Sequence, residues 1–230
     1  MPLDDLRGHG ASDGLTGYVR RWDEYRLDLA RIRAEVAQRH PGLPLVLIGQ
    51  SHGGLLVARH AIDDADGLLG IVLVSPFLRL ALAVPPLLTA VARVADRIAP
   101  WLPVPNLVRS EMLSRDREIV LAHARHRPRP RVATPRWFFA MQRAQAETLA
   151  RASELTTPLL AVIGRRDPIA RPEVTHAFLA AVGAADKTLL ESPEMRHEPL
   201  WELGREAIWQ AIADWIVARL PDHSPGGAPP

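Results

Sequence analysis

The stretch that most constrains this chain runs from Leu45 to Gly54. Leu45-Val46-Leu47-Ile48 is an unbroken apolar run of strand length, and it leads directly into Gly49-Gln50-Ser51-His52-Gly53-Gly54. An apolar run without alternation fits a strand buried on both faces. A helix-like segment, Leu55 to Ile62, follows at once. Strand, sharp turn and helix around G-x-S-x-G is a pattern with a mechanical reason. The turn lifts the serine hydroxyl above the sheet by holding its backbone in a strained conformation. Side chains two residues to either side would clash, so Gly49 and Gly53 are expected to remove the conflict. The helix starting beside Ser51 also offers free N–H groups, that of His52 first, to an oxygen developing negative charge. The five-residue pattern alone arises often by chance; its setting makes it informative.

A serine used this way needs a base, and the base needs an orienting acid. On a sheet of this kind they follow in the order Ser, Asp or Glu, His, beyond the carboxyl ends of strands. Leu159 to Gly164 reads as a buried strand, and Asp167 stands three residues past its end. Lys187 to Leu190 reads as a short strand, and His197 lies in the following loop, Ser192-Pro193-Glu194-Met195-Arg196-His197. Rivals fit less well. His176 falls inside a predicted helix and His223 in the tail. His9, His40, His52 and His60 precede the acid, while His123 and His126 belong to a basic middle region. Asp186 precedes a strand; Glu191 is the weaker alternative acid.

The rest of the chain supplies the matching architecture. Trp22, Tyr25, Leu29, Ile32 and Val36 recur at helical spacing between Tyr18 and Arg39, and Leu69 to Val74 forms a second buried-type strand. Strands alternating with helices give a mostly parallel sheet with flanking helices, an α/β fold. From Pro76 to about Ser153 no strand-like run is visible. Prolines punctuate segments with helical stripes, among them Leu87, Leu88, Val91, Val94, Ala95 and Ile98, then Trp137, Phe138, Met141 and Leu149. The α/β rhythm resumes with the Leu159 strand, a helix from about Pro172 to Val182, and a last helix from about Leu203 to Leu220. The expected division is therefore core 1–75, helical insertion 76–153, core 154–220, and a disordered proline- and glycine-rich tail 221–230.

With these positions fixed, the chain resembles the monoacylglycerol lipase and lysophospholipase group of serine α/β hydrolases. The resemblance rests on Asp5-Leu6-Arg7-Gly8-His9-Gly10-Ala11-Ser12-Asp13-Gly14, Gly49 to Gly54, Ser75-Pro76-Phe77-Leu78-Arg79-Leu80, Gly164-Arg165-Arg166-Asp167 and His197-Glu198, and runs from about residue 3 to residue 219. It implies Ser51 as nucleophile, His197 as general base and acid, Asp167 as its orienter, and the insertion as a helical cap forming the acyl-binding surface. It gives His9 a structural role. Two departures stand out. The residue after the nucleophile is usually methionine or leucine in that group; here it is His52. The group also carries three more strands, most of a fourth, and a loop with a second oxyanion donor ahead of the segment matching Asp5 to Gly14. The expectation is an N-terminally truncated α/β-hydrolase fold whose natural start lies upstream, the alternative being an inactive remnant. One lost oxyanion donor costs about a hundred- to a thousand-fold in rate.

Composition excludes several other classes. The chain has no cysteine, so disulfides and thiolate metal sites are unavailable. No cluster of His, Asp and Glu has metal-ligand spacing, and no G-x-G-x-x-G or P-loop is present, so no metal or cofactor is expected. No apolar run is long enough to span a bilayer, and the start does not resemble a secretory signal, which gives a cytoplasmic reading. The formal net charge is only +2, and Lys187 is the single lysine. The high pI of 9.6 therefore reflects arginine. Arg109, Arg115, Arg117, Arg125, Arg127, Arg129, Arg131 and Arg136 crowd the insertion. A solvated face accounts for them in so arginine-rich a chain; peripheral contact with anionic lipid is the functional alternative. Nucleic acid is excluded, since no recognition module accompanies the charge. The expected activity is hydrolysis of a small ester or lipid, monoacylglycerol or lysophospholipid by resemblance, with a peptidase or other small-ester hydrolase on the same fold as the nearer alternative.

Overall fold

Ile71 to Val74 and Leu159 to Ile163 are apolar at every position, and both stretches lie in the middle of a sheet with no residue exposed. The computed structural model describes residues 5–125 and 132–221. Within them, β1 (Leu45–Gln50), β2 (Leu68–Val74), β5 (Leu159–Gly164) and β6 (Lys187–Ser192) form a four-stranded sheet in the order β1-β2-β5-β6. Every pairing is parallel.

Parallel neighbours require crossovers, and helices supply them. α1 (Asp23–Arg39) precedes β1, α2 (His52–Asp63) joins β1 to β2, α6 (Pro172–Ala181) joins β5 to β6, and α7 (Arg205–Val217) follows β6. Alternation along the strands splits the core in two. Ile71, Leu73, Leu159 and Ala161 point to one face, under Leu55 and Ala58 of α2 and Phe178 of α6. Val72, Val74, Leu160 and Val162 point to the other, under Ile208, Ile212 and Trp215 of α7.

Between β2 and β5 run α3 (Pro86–Ile98), α4 (Arg117–Arg125) and α5 (Pro135–Ala150). α5 buries Ala140, Met141 and Ala144 in the same cluster as α2. α3 buries nothing: Leu87 is 77% exposed and Ile98 73%. Among the described residues no helix is long and apolar enough to cross a membrane.

Three expectations need correction. β1 is not buried on both faces: it is an edge of the sheet among the described residues, and Ile48 is 50% exposed. The middle region is not free of strands, since β3 (Val104–Pro105) and β4 (Val132–Ala133) pair antiparallel. Two-residue strands leave no periodicity to read. The first helix begins at Asp23 rather than Tyr18, with Tyr18 and Val19 in the loop before it. His126, Arg127, Arg129, Arg131, His223 and the tail from residue 222 lie outside the described residues.

Leu73 is fully buried at the centre of the larger cluster. Leu73→Ala is expected to destabilise the fold by about 2–5 kcal/mol, through lost transfer energy and a residual cavity, as measured by urea unfolding.

Candidate active site

The site is built at the carboxyl edge of the sheet, where each strand gives way to a loop. β1 ends at Gln50 and α2 begins at His52, leaving Ser51 as the only residue of the turn. Its backbone adopts φ 54° and ψ −116°. A non-glycine residue in that region is strained and persists only when its surroundings over-determine it. Here the Ser51 N–H donates to the Val74 carbonyl at 2.8 Å, and the Ser51 carbonyl accepts from Phe77 N at 2.9 Å and Leu55 N at 3.1 Å. The neighbouring strand β2 therefore holds one side of the turn, and the loop after it, with α2, holds the other.

Gly49 meets its expected role: a Cβ there would lie 2.3 Å from the Gly53 carbonyl oxygen. Gly53 does not, because beyond its own helix nothing lies within 4 Å of such an atom. The second close approach belongs to Gly54, whose Cβ would meet Pro76 Cα at 2.9 Å. Pro76 follows β2, so this crowding comes from the loop after another strand.

The structure brings Ser51, His197 and Asp167 together. His197 Nε2 lies 2.7 Å from Ser51 Oγ, and its Nδ1 lies 2.7 Å from Asp167 Oδ2. A carboxylate only accepts, so Nδ1 carries the proton and donates to Asp167. That leaves Nε2 as an acceptor for the Ser51 hydroxyl. Asp167 is fixed in turn: its Oδ1 accepts from Ile169 N at 2.8 Å and Ala170 N at 3.0 Å. Both His197 and Asp167 are buried. The competing groups are engaged elsewhere. Glu191 pairs with Arg165 at 2.7 Å and His176 at 2.9 Å, Asp186 pairs with Arg219 at 2.6 Å, and His9 Nδ1 donates to the Arg7 carbonyl at 3.0 Å.

His52 is the first residue of α2, where backbone N–H groups have no acceptor within the helix. Its ring is boxed by Trp22 at 4.5 Å, Tyr25 at 5.0 Å and Trp137 at 5.7 Å between centroids. Burial, reinforced by nearby His9, pushes its pKa down to about 3, so the imidazole is neutral over the working range. Two contributions escape the sequence reading. The amides of Ile169 and Ala170 carry no side-chain signal. Gln145 donates from Nε2 to the Phe77 carbonyl at 2.7 Å, bracing the loop beside Ser51; its signal was an amide among Met141, Ala144 and Thr148 on one helix face.

A sequence profile of the serine aminopeptidase S33 family matches residues 3–204. The chain belongs to this family. Within it, the chain stands with the monoacylglycerol lipase and lysophospholipase group of carboxylic ester hydrolases. It is 30% identical to a monoacylglycerol lipase of Mycolicibacterium smegmatis over 94% of this chain and 77% of the relative. It is 25% identical to the phospholipase YtpA of Bacillus subtilis, over 91% and 81%. The crystal structure of a monoacylglycerol lipase from Paleococcus ferrophilus superposes with a TM-score of 0.85 at 27% identity, covering 94% of this S33 chain and 82% of the other. A soluble variant of the Saccharomyces cerevisiae monoglyceride lipase gives 0.83 at 17% identity, covering 95% and 77%, a likeness of fold.

The buried imidazoles give this S33 member an acid-side weakness. Unfolded, His52 takes up a proton near pH 6.5; folded, it does so only near 3. Its contribution to stability is therefore complete above pH 6.5 and lost as pH falls toward 3. His60, pushed down by burial and by Arg33, acts in the same direction. Urea unfolding of His52→Leu across pH 3–7 is expected to show a shallower decline on the acid side than the parent protein.

Proposed function

We propose that the protein is a serine esterase of monoacylglycerols or lysophospholipids, working through an acyl-serine intermediate. The observation that carries this reading is the continuous pair of 2.7 Å hydrogen bonds from Ser51 through His197 to Asp167. Ser51 Oγ attacks the ester carbonyl while its proton passes to His197 Nε2. Asp167, held by two amides, steadies the imidazolium. The oxyanion is met by the His52 N–H at the start of α2. The leaving alcohol takes the proton from His197, and water, deprotonated by the same imidazole, releases the acid. Residues 1–75 and 154–220 form the hydrolase core in this reading, and 76–153 the cap that shapes the acyl site. The names of the relatives support the substrate class.

The cap also presents the surface on which such an enzyme meets its substrate. Leu87, Val91, Val94 and Ile98 stand exposed along one side of α3, with Trp101 just beyond it. Arg93 and Arg97, also exposed, lie on the same helix. An apolar stripe rimmed by arginine suits the interface of an anionic bilayer, so the protein is read as cytoplasmic and peripheral to the membrane.

Three measurements test this. With p-nitrophenyl esters of short and long acids, Ser51→Ala is expected to lower kcat by roughly four to six orders of magnitude. Asp167→Asn, which disfavours the required tautomer, should lower it by about four. Turnover of aminoacyl anilides in preference to esters would instead favour a peptidase. Sedimentation with anionic phosphatidylglycerol vesicles is expected to weaken roughly tenfold in Val91→Asp/Ile98→Asp, since binding scales with the apolar area inserted.

A further inference from the structure

His197 sits in an irregular loop, residues 193–204, whose only regular element is the short turn Pro199–Trp201. No ladder of strand bonds holds its backbone there, yet its imidazole must stay within hydrogen-bonding reach of Ser51. Something must fix the loop, and a fully buried carboxylate, that of Glu202, stands at its far end. An ionised group is tolerated inside a protein when donors surround it, and Glu202 is surrounded.

Those donors come from two separate parts of the chain. From the insertion, Arg115 N donates to both oxygens at 2.9 Å. Ser114 Oγ shares its proton between Glu202 Oε1 at 3.3 Å and the Trp201 carbonyl at 3.0 Å. From the loop itself, Leu203 N donates to Oε1 at 2.9 Å and Arg196 N to Oε2 at 3.3 Å. Arg196 is the residue immediately before His197. The seam continues on both sides, with Glu198 N donating to the Leu113 carbonyl at 2.9 Å and Arg205 paired to Asp116 at 2.9 Å.

We propose that Glu202 is a positioning residue, clasping the insertion segment 113–116 to the histidine loop and so holding the His197 ring against Ser51. The proposal rests on the assignment of His197 as base. It goes further by placing control of that base in a side chain that never touches substrate. Because one carboxylate grips both segments, a shift in the seat of the insertion is passed directly to the backbone beside His197.

Glu202→Gln separates this role from simple support. It preserves the volume and one acceptor oxygen, but turns an N–H₂ toward a backbone N–H. Counting only folded molecules, by near-ultraviolet circular dichroism, kcat with a p-nitrophenyl ester should fall roughly tenfold or more while KM changes little. A second reading needs no substrate. The low-field proton resonance expected for His197 Nδ1 in the parent protein, from its 2.7 Å bond to Asp167, should broaden or vanish in Glu202→Gln. An unchanged resonance with unchanged kcat per folded molecule would overturn the proposal. If the parent itself turns over no ester, the resonance alone decides it, so failure of the esterase reading and failure of the clasp remain distinct.

Discussion

The whole arrangement depends on one strained peptide, that of Ser51, pinned between β1 and β2. Left to itself a serine avoids this backbone region. It stays there because Val74 accepts its N–H while Phe77 and Leu55 donate to its carbonyl, and because Gly49 and Gly54 leave room for the surrounding backbone. The register of β1 against β2 thus becomes the position of a hydroxyl. β5 and β6, hydrogen-bonded in the same sheet, place Asp167 and His197 from the same rim. Central strands that are buried throughout their carboxyl halves hold that rim in place.

Much of this was legible because each decisive residue follows a strand written as a solid apolar run. Ile71 to Val74 and Leu159 to Ile163 could hardly be anything but interior strands, and once they are placed, the loops after them are few. Order along the chain then selects Ser51, Asp167 and His197 from many serines, acids and histidines. The helices α2, α6 and α7 fall within a few residues of their expected bounds, and α5 contains the whole stripe Trp137, Phe138, Met141 and Leu149.

What stayed hidden depends on neighbours that a local pattern does not encode. Leu45 to Ile48 has the composition of a central strand, but exposure is set by what pairs beside it, and Ile48 shows the difference. The importance of Gly54 over Gly53 comes from Pro76, which approaches from the loop after β2. β3 and β4 are too short to carry a period. Glu202 reads as an ordinary surface acid because its partners are main-chain amides, and every residue has one. The outward face of α3 illustrates the converse: amphipathic spacing predicts the helix correctly and says nothing of whether its apolar side meets the core or the surroundings.

β2 and β5 are hydrogen-bonded neighbours, although some eighty residues separate them in sequence. The chain therefore departs from the sheet and comes back to it through adjacent gateposts, and much of what lies between is an excursion the sheet need not notice. Its final helix is an exception, since Met141 and Ala144 are sunk among the residues of α2. Segment 113–116 is another, tied through Glu202 to the loop that carries His197. The freest part is α3, which buries no residue. Along that helix a lineage could trim or rebuild while the hydrogen bonds among Ser51, His197 and Asp167 stay as they are.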